Sequence, residues 1–164
     1  MCIRDRYITD NIPLSLEKYL LLLDSELELT KKNNCKMTKL IIDATKDKIF
    51  FMIINNHNNY YITHENTKKN FEKIMILINE FLNSKNIQIK DISKLYVNKG
   101  PGSFAGIRNS LSTIQAIHFV NNIDYYCFSL EDFELAKNIR YENIPDLCDK
   151  FKIKKNLINP IYIS

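Results

Sequence analysis

The chain has 164 residues, 45% of them hydrophobic and 26% charged, which suits one domain with a real core and excludes a disordered chain. The formal charge of +4 is mild, and all of it falls in residues 37–164, because residues 1–36 carry six basic and six acidic side chains. No Lys/Arg run interleaved with aromatics stands out as a nucleic-acid platform. Cys2, Cys35, Cys127 and Cys148 form no CxxC pair, so a zinc or thioredoxin-type site is not expected. Cys127, inside the apolar run Tyr125–Phe128, reads as a small buried hydrophobe. The run Leu20–Leu23 is bounded by Lys18 and Asp24 and is far too short to cross a bilayer. No membrane contact is expected, and a reducing cytoplasm is the expected compartment.

Leu14–Leu29 has the pattern of an amphipathic helix and ends in the polar linker Thr30–Asn34. Met37 then opens a new pattern. Residues 1–36 are expected to be an extension, possessing an opening (Met1–Arg6) that resembles translated adapter sequence, with Met37 as the natural start. The other reading is a genuine extra helix packed on the domain.

Lys39–Ala44 and Ile49–Ile54 are short apolar runs separated by the polar turn Lys46–Lys48, and both read as strands. The turn at residues 55–59, including His57, leads into a third strand, Tyr60–Thr63. Asn70–Ser84 reads as a helix, with Phe71, Ile74, Met75, Ile78 and Leu82 at helical spacing. Leu77 and Phe81 widen its apolar stripe beyond what one sheet contact needs, and Ile76 lies outside the stripe. The helix is either well buried within the chain or covered by a partner on its flank. Lys94–Asn98 is a fourth strand, Phe104–Val120 a second helix and Asp124–Phe128 a fifth strand. Ser129–Asp132 resembles a capping box opening a third helix, to about Ile139. Residues 141–164 are weakly patterned, and Ile161–Ile163 is a candidate short strand. The order β-β-β-α-β-α-β-α predicts a mixed five-stranded sheet, antiparallel in its first three strands and parallel through the helical crossovers.

Gly100-Pro101-Gly102-Ser103-Phe104-Ala105-Gly106-Ile107-Arg108 holds all three glycines of the chain. A strand passing through glycines into a helix can present amides to an anion. It is not a P-loop, since no Gly-Lys-Ser/Thr follows. Its G-x-G-x-x-x-G spacing misses the dinucleotide fingerprint by one residue. It is no nucleophile elbow, since Pro101 and Ala105 flank Ser103 where glycines are required. Ser103 is expected to be the helix N-cap. In the helix behind it, Phe104, Ile107, Leu111, Ile114 and His118 form a stripe expected to lie on the sheet. Ala105, Ser112 and Ala116, with Asn109 nearby, form a small-residue face. Either the neighbouring helix of the chain or a partner fills that face.

Gly100–Arg108 resembles the GPGSFTGLR signature of bacterial TsaB proteins. Leu40–Thr45 is similar to the family's first strand, ILAIDTS; Asp91–Leu95, Phe128–Glu131 and Asn159–Ile163 resemble three further segments. The resemblance implies an α/β fold of the actin/Hsp70 type, here a single ribonuclease-H-like lobe in residues 37–139, with 140–164 a short tail left from a second lobe. It implies a chain without catalytic residues or cofactors, partnered by a TsaD-like catalytic subunit and a TsaE-like ATPase. Transfer RNA, the substrate of threonylcarbamoyl modification, is reached indirectly. Asp43 and Thr45 match positions where active relatives handle phosphate and metal. With Gly100, Gly102 and Ser103 they are expected to be vestigial. The catalytic relative's HxxxH metal pair is missing, as His57 and His64 lie seven apart and His118 stands alone, so no metal is expected. The helices that meet the catalytic subunit correspond to Asn70–Ser84 and Phe104–Val120. The expected interface is then Phe71, Met75, Ile78, Leu82, Ala105, Arg108, Asn109, Ser112 and Ala116. The alternatives are a small nucleotide-binding hydrolase or acyl transferase that uses the glycine loop, and a homodimer built on the same helices.

Overall fold

The computed structural model describes residues 37–56, 58–136 and 138–162. By contacts the chain divides into Met1–Cys35 and Lys36–Ser164, and only the second unit is described below. The expected helix Leu14–Leu29, the extension 1–36, His57 and Ile163 lie outside the described residues.

Strands β1 (Thr38–Asp43), β2 (Lys48–Ile54), β3 (Asn59–Glu65), β4 (Ile92–Asn98) and β5 (Asp124–Phe128) form one sheet in the order β3-β2-β1-β4-β5. β1–β2 and β2–β3 pair antiparallel; β1–β4 and β4–β5 pair parallel. This is the mixed ribonuclease-H-like sheet that the element order predicts. Both faces are covered, which explains the consecutive apolar residues Leu40–Ile42, Ile49–Ile54 and Leu95–Val97. Leu40, Ile42, Phe51, Leu95, Val97 and Cys127 face one core. Their neighbours Ile41, Met52, Tyr96 and Phe128 face another.

The first core is closed by α1 (Lys68–Glu72), α2 (Ile74–Ser84) and α3 (Phe104–Asn121). The single helix expected over 70–84 is two helices. Thr67 caps the first through its hydroxyl, which accepts from the Asn70 N–H at 3.2 Å. The backbone tightens at Lys73, whose N–H donates to the Asn70 carbonyl, three residues back, at 3.1 Å. Phe71 and Ile74, three apart, are thereby both buried. On α3, Ile107, Leu111, Ile114 and also Ile117 face the core. Phe104, expected on the sheet, is instead 57% exposed and packs on Tyr162, with ring centroids 4.8 Å apart. His118 is half-buried, its Nδ1 2.8 Å from the Ile123 carbonyl oxygen.

The second core is closed by the C-terminal third of the chain. The capping box at Ser129 forms, with the Ser129 N–H donating to Asp132 at 2.9 Å, but it opens only a 3-10 turn, Leu130–Phe133. Leu130, Phe133 and Ala136 pack inward at three-residue spacing, the 3-10 period, so the expected α-helix to Ile139 does not follow. The weakly patterned tail contains a further helix, α4 (Ile144–Lys150), which buries Ile144, Leu147 and Cys148. Residues 161–162 form no strand; Ile161 donates one bond to the Lys99 carbonyl at 2.8 Å. Among the described residues no helix is long and apolar enough to cross a membrane.

The burial of α2 predicts an asymmetry between adjacent turns. Ile78→Ala, in the core, is expected to lower stability by about 2–5 kcal/mol, and Met75→Ala, at the surface, by less than about 1 kcal/mol. Urea denaturation of the two variants measures the difference.

Candidate functional site

Two regions bring chemistry or binding surface together. The first lies at the carboxyl ends of the adjacent parallel strands β1 and β4. Their register pairs Ile42 with Val97, so the next residues, Asp43 and Asn98, stand side by side on the second face. Asp43 is 2% exposed, yet its carboxylate is fully engaged. It accepts from the Thr45 N–H at 2.9 Å, the Thr45 hydroxyl at 2.7 Å, the Asn98 amide at 2.9 Å and the Tyr141 hydroxyl at 2.7 Å. A buried carboxylate persists only with such compensation. Tyr141 also stacks on Phe50, with centroids 4.2 Å apart. Burial, reinforced by the neighbouring Asp43 carboxylate, holds the Tyr141 phenol well above the usual tyrosine range.

The glycine loop closes this corner from the other side. A side chain on Gly102 would lie 2.2 Å from the Thr45 carbonyl oxygen, and one on Gly106 1.9 Å from that of Ala44. Gly100, at φ +109°, follows Asn98 by two residues and donates to its side-chain oxygen at 3.0 Å. The Ser103 N–H donates to the Thr45 carbonyl at 2.9 Å, and the Ser103 hydroxyl accepts from Gly106 N–H at 3.3 Å, the expected N-cap. These amides are committed to the chain itself. The peptide bond Gly100–Pro101 is cis. Among the described residues no group of three His, Cys, Asp or Glu is placed to hold a metal ion. Burial pushes the Cys127 and Cys148 thiols up to about 12, so neither is a ready nucleophile near neutrality.

The second region is a groove of about 360 Å³ where α1 and α2 lie beside α3, lined by Phe71, Met75, Asn109, Ser112, Ala116 and Val120 among others. Its polar lining is partly engaged within the chain, while the exposed Glu72 carboxylate faces it without a hydrogen bond or ion pair among the described residues. Asn109, Ser112 and Thr113 each donate to the carbonyl four residues back on α3, at 2.8–2.9 Å. Met75, Ile76, Phe119 and Val120 leave apolar surface exposed on the same helices.

Residues 62–145, just over half of the chain, match the family model of TsaD, tRNA N6-adenosine threonylcarbamoyltransferase. The chain belongs to the TsaD family. Among solved structures it is similar to YeaZ (TsaB) from Pseudomonas aeruginosa, at 14% identity and a TM-score of 0.52, over 56% of this chain and 43% of that one. A second, described as an uncharacterized protein with similarity to peptidase YeaZ from Pseudomonas aeruginosa, matches at 14% identity and a TM-score of 0.53 with the same coverage. The chain thus spans less than half the length of these solved relatives. No curated protein matches it significantly in sequence. The likeness in fold agrees with the TsaB-like signature of residues 100–108.

In this TsaD-family chain, the structure gathers Asp43, Thr45, Gly100, Gly102 and Ser103 at one corner, as their motif positions suggest. Phe71, Met75, Asn109, Ser112 and Ala116 meet at the groove. Ala105 and Arg108 are exposed on the first turns of α3, outside the groove lining. Ile78 and Leu82, at 0% and 1% exposure, lie inside the chain's own core and offer nothing to another molecule. Two site residues escape a sequence reading. Asn98 has the same strand parity as Asp43, a usable signal. Tyr141 sits 98 residues from its partner and has none.

Tyr141→Phe is expected to cost about 1–3 kcal/mol at neutral pH, since it removes a hydrogen bond to a buried carboxylate. A phenol that titrates higher folded than unfolded contributes its stability below the usual tyrosine value of 10.0 and loses it as pH rises past that value. The gap in urea midpoint between wild type and Tyr141→Phe should therefore narrow above about pH 10.

Proposed function

We propose that the chain is a non-catalytic partner subunit in the threonylcarbamoyl modification of transfer RNA, and that the groove beside α3 receives a helix of a TsaD-like catalytic subunit. One observation carries this reading. Asn109, Ser112 and Thr113 each spend a donor on their own helix, so an apolar helix can pack along this side of α3, while the exposed Glu72 carboxylate calls for water or a polar partner group. Small side chains at Ser112 and Ala116 allow close approach, and exposed Met75 and Val120 supply apolar area at the rim.

The corner at Asp43 supports the non-catalytic half of the reading. Its carboxylate and the Ser103 and Gly100 amides are bonded within the chain, which leaves little for a phosphate or metal to replace at low cost. A TsaE-like ATPase then acts on the assembled pair, and transfer RNA is modified at the catalytic subunit.

Glutamates at Ser112 and Ala116 place charge in the groove at exposed positions, so the fold should survive. Ser112→Glu/Ala116→Glu is expected to weaken binding to a TsaD-like subunit at least ten-fold by calorimetry, with an unchanged melting temperature. Undiminished binding removes the groove from the interface. If the wild type instead forms a dimer by light scattering that the catalytic subunit does not displace, the groove's occupant is a second copy.

A further inference from the structure

Lys150-Phe151-Lys152-Ile153-Lys154-Lys155 places four lysines in six residues with no acid among them. No basic nucleic-acid platform is expected from the sequence alone. The fold corrects that expectation. Phe151 and Ile153 pack on the second core, and the four lysines around them are exposed.

The backbone that carries them is pinned at both ends. Ile153 N–H donates to the Cys148 carbonyl at 2.9 Å. Lys155 bridges to Tyr126 at the free side of β5. Asn156 then clamps that edge: its N–H donates to the Tyr125 carbonyl at 2.8 Å, its side-chain oxygen accepts from Tyr125 N–H at 2.9 Å, and its amide donates to Asp124 at 2.7 Å. Lys94, in register with Asp124, adds a fifth cation, its ammonium 5.3 Å from the centre of the Tyr126 ring.

Nearby acids only partly offset this charge. Asp124 pairs with Lys155 at 3.2 Å, and Asp149 precedes Lys150. Among the described residues Lys152 and Lys154 take part in no ion pair. A cluster of cations, most of them outside any ion pair among the described residues, on a backbone held at these points suits a ligand whose charge repeats along a chain, since each contact releases counterions at little ordering cost. A lipid surface fits poorly, because the apolar residues between the lysines are turned into the core and cannot insert.

We propose that Lys150, Lys152, Lys154 and Lys155, together with Lys94, form a docking strip for the phosphate backbone of transfer RNA. The strip rests on the function proposed above and extends it, giving this subunit a direct hold on the substrate.

The test is filter binding of unmodified transcribed tRNA to the full chain between about 50 and 200 mM salt. Lys150→Gln/Lys152→Gln/Lys154→Gln should bind at least ten-fold more weakly. Its salt slope should be shallower by about two to three units, with the melting temperature unchanged. The matched control is Lys68→Gln/Lys69→Gln/Lys73→Gln, three exposed lysines on and beside α1, which should bind as wild type does. Equal weakening by the control, no binding by the wild type, or displacement of tRNA by phosphatidylglycerol vesicles each overturns the strip. Co-elution with a TsaD-like subunit is measured separately. Its failure in the wild type removes the partner reading alone, and its persistence beside an unaltered RNA affinity removes the strip alone.

Discussion

Backbone lies directly against backbone where the loop after β4 crosses the end of β1. Gly102 rests on Thr45 and Gly106 on Ala44, at separations no side chain could occupy. Because α3 begins inside this contact, its height above the sheet and the turn it presents follow from it. Ile107, Leu111, Ile114 and Ile117 then enter the core, and Asn109, Ser112 and Ala116 are carried to the flank beside α1 and α2. The glycines of this loop are therefore packing residues first. Their pattern resembles a phosphate cradle because both uses need a backbone approached closely from outside.

The same contact explains the state of the acidic corner. The crevice beyond the carboxyl ends of parallel strands is where open α/β sheets commonly bind ligands. Here the loop occupies one wall and Tyr141 reaches in from the C-terminal segment to take a carboxylate oxygen. A carboxylate that gathers two hydroxyls, an amide and a backbone N–H from its own chain acts as a clasp between β1, β4 and the C-terminal third. That third covers the second face of the sheet and joins β5 through the bridge between Tyr126 and Lys155.

The two proposed surfaces differ in physical kind. The groove is apolar and small, with its polar donors turned back on themselves, and selects a helix by shape. The lysine strip is rigid and cationic, and selects a repeating anion by charge. They lie on different elements, one on the helices of the first face and the other at the end of α4 and the β5 edge, so one does not exclude the other.

Sequence alone determined the order and number of the strands, the course of α3 and the N-cap at Ser103, because these rest on apolar runs, helical spacing and local turn chemistry. It also pointed to the family, since the three glycines answer a close backbone contact that few other residues satisfy. Only tertiary structure decided the rest. Whether Ile78 is interface or core depends on which neighbour reaches it, and Phe104 leaves the sheet to meet Tyr162, 58 residues away. The segment after Ser129 followed a three-residue spacing that reads equally as a helix until Phe133 is placed against Phe128 and Phe151. The Asp43–Tyr141 bond has no local signal, and the anchoring of the lysine-rich residues 150–155 at β5 is likewise set by distant contacts. They exist because contacts between distant parts of the chain choose which side of each segment faces water.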